Sequence, residues 1–147
     1  MSIIEKKLEE LGLTLSAPKP PVGNYLGCKK VGNLLFASAR VSDCVGEVGT
    51  EVSLEKAKEA AQNTVLAILS IIKADIKDLD LIEGVVKLTG FVRSSASFIE
   101  QPKVIDGASD LLIKLFNENG RHARTATGVA QLPFGASVQL DILFQVK

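Results

Sequence analysis

Between Arg121 and Leu140 the chain reads RHARTATGVAQLPFGASVQL, with an arginine entering a strand-like run directly before a set of small residues. A guanidinium is always charged and presents a planar fork of donors, which suits capture of a carboxylate or phosphate better than packing in a core. Thr125, Ala126, Thr127, Gly128 and Ala130 are too small to cover it, so Arg124 is the leading candidate for a ligand contact. The competing account is a surface arginine paired with an acidic neighbour, an arrangement that contributes little and needs no ligand. His122 lies two residues earlier, so an extended backbone sets both side chains on one face, at the rim of any cleft there. A lone histidine is more often a solvent-facing or structurally hydrogen-bonded residue.

Composition narrows the chemistry. One histidine excludes a two-histidine acid/base pair within a subunit. Cys28 and Cys44 stand apart, without CxxC or Cys/His spacing, so no metal role is expected of them. Basic and acidic residues both number 17, leaving no global field to attract a polyanion, and nucleic acid is a poor fit as the main partner. Hydrophobic residues make up 46% of the chain, yet no apolar run approaches the roughly 20 residues that span a bilayer. The opening MSIIEKKLEELG alternates charged and apolar residues, unlike a secretory signal, and a soluble cytoplasmic protein is expected. A length of 147 residues fits one domain, 1–147, with residues 1–15 as an N-terminal helical extension.

The elements that must position these residues follow from periodicity. Ser2 and Glu5 have capping-box spacing, and Ile4, Leu8 and Leu11 recur at helical intervals before Gly12. Pro18, Pro20 and Pro21 then enforce an extended connector. Tyr25 to Lys30 and Asn33 to Ser38 read as a hairpin around Gly32. Ser53 caps a long helix whose apolar stripe runs from Leu54 to Ile72, ending near Ala74. Leu81 to Val92 reads as a central strand, with Gly84 and Gly90 marking bulges or close approaches. Ala108 to Phe116 forms a second helix. Ala123 to Gln131 and Val138 to Val146 form a final pair joined by LPFGA, with Val138, Leu140, Ile142, Phe144 and Val146 on one face of the last strand and Gln139, Asp141 and Gln145 on the other. The order ββαβαβ after the N-terminal helix describes an α+β sheet with two helices on a single face. Its second face needs cover, so a homo-oligomer is expected.

The segment ARTATGVAQLP resembles the signature of the Rid family, also known as the YjgF or endoribonuclease L-PSP family. GNYLGCKKVGNLLFAS resembles that family's first hairpin, and LTGFVRSSASF its central strand and following turn. QPKVIDGASDLL resembles a subgroup in which the region before the last helix is lengthened. The resemblance implies a chorismate-mutase-like fold, a homotrimer, and intersubunit clefts in which small reactive enamines and imines such as 2-aminoacrylate are hydrolysed to keto acids and ammonia without a metal or cofactor. Arg124 matches the arginine that clamps the substrate carboxylate. Tyr25 and Ser38 match a cleft tyrosine and serine, Phe98 an aromatic near the pocket, and Ala126 a position whose backbone faces the ligand.

The departures bear on mechanism. Gln139 stands where the family carries an acidic residue, and an amide cannot take up a proton. Asp141, on the same face about 7 Å along the strand, would substitute only in a rearranged cleft. Ala39 replaces a common glycine and tightens the pocket. Asp106 occupies the approximate place of a common asparagine, where it would repel an anion unless it caps the following helix. Three functions are therefore weighed: imine or enamine hydrolysis, a noncatalytic trimer that binds a small carboxylate, and, last, ribonuclease activity.

Overall fold

The computed structural model describes all 147 residues. Helix α1 (Ile3–Glu10) starts at the expected capping box, in which the Ser2 hydroxyl accepts from the Glu5 amide and the Glu5 carboxylate accepts from the Ser2 amide. The amides of Ile3 and Ile4 donate to the Asp80 carboxylate at 2.8 and 3.2 Å, docking the helix start on the turn before the central strand. Glu5 also pairs with Lys73. The Lys73 hydrogen bond, followed by the Ser2 amide, lowers the Glu5 carboxyl from its usual 4.5 to about 2.

A carboxyl lowered by folding contributes stability above its unfolded value, and that contribution is lost as pH falls through the folded one. Acidification from about 4.5 to 2 is therefore expected to release α1. Hydrogen-exchange protection at Ile4 and Leu8, taken relative to the intrinsic rate at each pH, should fall across that window, before that of the buried strands.

The remaining order is β1 (Cys28–Val31), β2 (Leu34–Val41), α2 (Leu54–Ile76), β3 (Ile82–Arg93), α3 (Gln101–Phe116), β4 (Ala123–Val129) and β5 (Val138–Val146). Ser53 caps α2 as expected, accepting from the Lys56 amide. The buried residues of α2 and α3 meet the alternating buried residues of β5 and β3 in one apolar core. Gly84 lies at a register irregularity of β3, and at Gly90 a Cβ would sit 2.6 Å from the Ile105 side chain, so α3 packs directly on that strand's backbone.

The strands lie in the order β1-β2-β5-β3-β4. Sequence reading joins the last two strands as a pair, and here the structure corrects it. β4 runs parallel to β3, while β5 inserts antiparallel between β2 and β3. The crossover through α3 returns the chain in the direction of β3, so β4 runs parallel to it at the sheet edge, while the β2–α2–β3 crossover leaves between its two strands the gap that β5 fills. Two boundaries also move. β1 begins at Cys28, leaving Tyr25 in the bend before it, and α3 begins at Gln101, seven residues before the expected Ala108. Pro102 sits in the first turn of α3, where its missing amide donor costs nothing.

Both helices cover one face of the sheet. The other presents Phe36, Phe91 and Leu143 together with Thr89, Gln139 and Asp141, and both Phe36 and Val86 are exposed. No helix is long and apolar enough to cross a membrane.

Candidate functional site

The structure sorts the residues singled out in the sequence into two clusters. Tyr25, Ser38, Ala39 and Gln139 line one cavity of about 590 Å³, closed on its apolar side by Val22, Pro133 and Phe134. The bend before β1 supplies Tyr25, and the irregular pairing of β2 with β5 between Ala37 and Arg40 places Ser38 and Ala39 at the cavity wall. The Ser38 hydroxyl donates to the Leu26 carbonyl at 2.5 Å, so toward a ligand it can only accept. Phe134 holds φ at 61°, a left-handed backbone that strains a bulky residue, and its ring stands exposed at the rim. Arg40, which the sequence reading passed over, borders this cavity and a smaller one against α2, and its guanidinium makes no ion pair or hydrogen bond with the rest of the chain. A cation two residues after Ser38 in the same strand was the available signal.

The second cluster lies where β4 meets α3. Arg124 pairs across the sheet with Leu88, whose side chain is buried beneath the helices, so its own side chain rises on the helix side of β4. There Nη1 donates to Asp106 Oδ1 at 2.7 Å and to Ser109 Oγ at 3.1 Å. His122, on the same face as expected, is fixed from both ends: Nδ1 lies 2.6 Å from the Gly120 carbonyl and Nε2 lies 2.9 Å from Ser109 Oγ. The carbonyl can only accept, so Nδ1 donates to it, and the Ser109 hydroxyl holds the Nε2 end of the ring.

Both Nη1 hydrogens are thereby used, while Nε and Nη2 bond to no group of the chain. The Nε–Nη2 edge is the donor pair that can take a carboxylate bidentately. The Arg124 side chain keeps 26% of its exposure. Its orientation is set, and the recognition edge stays available.

Asp106 is not a helix cap. It lies inside α3, one turn before Ser109 on the same helical face, and its charge answers Arg124. Ala126 follows Arg124 on the same side of β4, half-buried against the core, and Phe98 packs against the core in the loop before α3. Neither lines the cavity of Tyr25 and Gln139.

Asp141 faces the uncovered side of the sheet opposite Thr89. Burial raises its carboxyl above the usual aspartate range, and Lys87 only partly offsets this. A raised carboxyl favours the folded state fully below its unfolded value of about 3.8, and that benefit is lost as pH rises through the folded value. Asp141→Asn is therefore expected to raise the urea midpoint at pH 7 and to leave it little changed at pH 3. Among the cysteines, burial, with help from Asp75, pushes the Cys28 thiol up to about 11, which makes it a poor nucleophile at neutral pH.

A five-stranded mixed sheet backed by two helices, with polar clusters at the open end of the β2–β5 pair and along the β4 edge, defines a small α+β protein of the chorismate-mutase-like type. The family described as "YjgF/chorismate_mutase-like, putative endoribonuclease" matches residues 5–145, and the chain belongs to it. It is 41% identical over 151 residues to Protein TCP17 of Trypanosoma cruzi, covering 98% of this chain and 94% of that protein. The crystal structure of the protein Atu1372, of unknown function, from Agrobacterium tumefaciens is similar at TM-score 0.92 and 40% identity, covering 99% of this chain and 93% of the other. A Shewanella oneidensis protein named "putative endoribonuclease" is similar at TM-score 0.93 and 27% identity, covering 97% of this chain and 99% of the other.

Proposed function

We propose that this protein hydrolyses small reactive 2-imino acids, and the enamines that tautomerise to them, to keto acids and ammonia in the cytoplasm, at clefts between the subunits of a homotrimer. In each cleft Arg124 of one copy holds the substrate carboxylate against the cavity of Tyr25, Ser38, Ala39 and Gln139 in the next. The observation that carries this reading is the state of Arg124, which is oriented by Asp106 and Ser109 yet keeps its Nε–Nη2 edge open.

The placement of the two clusters supports an intersubunit site. Arg124 rises on the helix side of an edge strand, whereas Gln139 faces the uncovered side of β5, two strands away. Strand spacing makes that about 10 Å across the sheet plus a change of face, so one chain cannot aim both at the same small molecule. The partly apolar uncovered face gives a second copy a surface to cover.

In the reaction, the oxygen of water forms a bond to the imine carbon as the C=N π pair moves to nitrogen. The C–N bond then breaks, and both water protons leave with the nitrogen as ammonium. Orientation of a protonated imine and a water supplies most of what this step needs, since the iminium is already electrophilic. Gln139 and Tyr25 can orient the water without accepting its proton.

The test is keto-acid release from freshly generated 2-iminopropionate, in the wild type and in Arg124→Ala. A rate equal to that of buffer, or one undiminished by the substitution, overturns the reading. The absence of a titratable group at Gln139 favours a second reading, a trimer that binds small carboxylates without turnover, and calorimetry with keto acids that shows Arg124-dependent binding but no hydrolysis would establish it. Some relatives are named for endoribonuclease activity. The balanced charge of this chain and the lack of a basic run in its sequence argue against backbone binding to RNA.

A further inference from the structure

We propose that Asp106 recognises the substrate nitrogen: its carboxylate, held beside Arg124, pairs with the protonated iminium of the bound acid and gives the site its preference for imino acids over keto acids. This inference rests on the hydrolytic reading above and adds to it the residue that tells substrate from product.

Only one oxygen of Asp106 is committed. Oδ1 accepts from Arg124 Nη1 at 2.7 Å, while Oδ2 accepts no hydrogen bond from the chain, and the side chain retains 45% of its exposure. Its backbone is fixed, because Asp106 lies between the buried Ile105 and Gly107 in the middle of α3. The surface thus carries a cation and an anion side by side, each with unused hydrogen-bonding capacity: the Nε–Nη2 edge of Arg124 and Oδ2 of Asp106.

A 2-imino acid carries the matching pair. Its carboxylate and its protonated nitrogen sit on adjacent carbons, so a molecule whose carboxylate meets the guanidinium edge presents N–H donors toward the neighbouring carboxylate. The corresponding keto acid presents a carbonyl oxygen at that place, and its lone pairs face Asp106 with no proton between them. Opposite charge near the nitrogen also favours the protonated imine over the neutral one, and the protonated form is the one water attacks. A plain anion gains less from Arg124 than an isolated guanidinium would offer, because Asp106 cancels part of its field. Product carboxylates are thereby released more readily than substrate.

Asp106→Asn tests this, since the amide oxygen still accepts from Arg124 while the charge is gone. The kcat/KM for freshly generated 2-iminopropionate is expected to fall at least about ten-fold, and pyruvate, measured by calorimetry, is expected to bind several-fold more tightly. A role limited to propping Arg124 would weaken both together. Asp106→Glu retains the charge and should keep the preference for the imino acid even where overall rates drop, which guards against an asparagine variant that folds poorly. If the wild type turns over substrate and Asp106→Asn leaves the two quantities unchanged or moves both downward, this inference falls and the hydrolytic reading stands. If the wild type neither turns over 2-iminopropionate nor binds pyruvate, both fall together.

Discussion

Replacing Arg124 with alanine is expected to lower kcat/KM for 2-iminopropionate by at least about a hundred-fold while leaving the melting temperature nearly unchanged. Hydrogen bonds from a charged donor contribute about 1.5 to 3 kcal/mol each. The Nε–Nη2 edge supplies two of them, and each 1.4 kcal/mol corresponds to a factor of ten. The loss is deepened because Asp106 then faces the substrate carboxylate with no cation between them. Stability responds differently, since a partly exposed Arg–Asp pair contributes no more than about 1 kcal/mol. Arg124→Lys separates charge from geometry: an ammonium keeps the attraction but cannot form the planar two-donor contact, so intermediate activity is expected. Progress curves of keto-acid formation, alongside thermal melts of the same samples, decide the matter. An activity loss explained by a collapsed melting temperature would remove Arg124 from the binding role assigned to it.

The second large effect concerns the scaffold. At Gly107, where α3 crosses α2, an added Cβ would lie 2.1 Å from the Lys58 carbonyl oxygen and 2.9 Å from its carbon. The obstacle is backbone in the second turn of α2, not the end of a flexible side chain. In an unconstrained helix, replacing glycine with alanine stabilises by about 0.5 to 1 kcal/mol. Here the sign is expected to reverse, because the two helices must separate and loosen their seat on the sheet, at a cost of about 3 kcal/mol. For a chain of this size that corresponds to a melting temperature lower by about 10 °C. A Gly107→Ala variant that melts at or above the wild-type temperature would show that the helices do not meet backbone to backbone. Because Asp106 is the adjacent residue, the same displacement should also disturb the contact with Arg124.

Local signals made much of this legible in the chain itself. The Ser2–Glu5 box, the Ser53 cap and the strict alternation from Val138 to Val146 are short-range patterns, and each marks its element where the structure has it. Period-two spacing likewise put His122 and Arg124 on one face. What escaped depended on partners distant in sequence. The early part of α3 carries Pro102 and Gly107, residues that disfavour a helix interior, yet the first is harmless in an opening turn and the second answers to α2. With α3 begun too late, the one-turn spacing of Asp106 and Ser109 was hidden, and Asp106 was read as a cap. The neighbour of β4 is fixed by the crossover and not by its own residues. Its place two residues after Ser38 marked Arg40, but the irregularity that turns this stretch toward a cavity arises from pairing with β5, about a hundred residues on.

The grip of Asp106 and Ser109 on one nitrogen of Arg124 has a kinetic corollary. A long, flexible cation ordinarily surrenders rotational freedom when it seizes a guest, and that entropic toll weakens the complex. In this chain the toll has been levied already, during folding. Encounter should therefore proceed without a conformational waiting step, and differences in affinity among guests should surface chiefly in how long each one lingers.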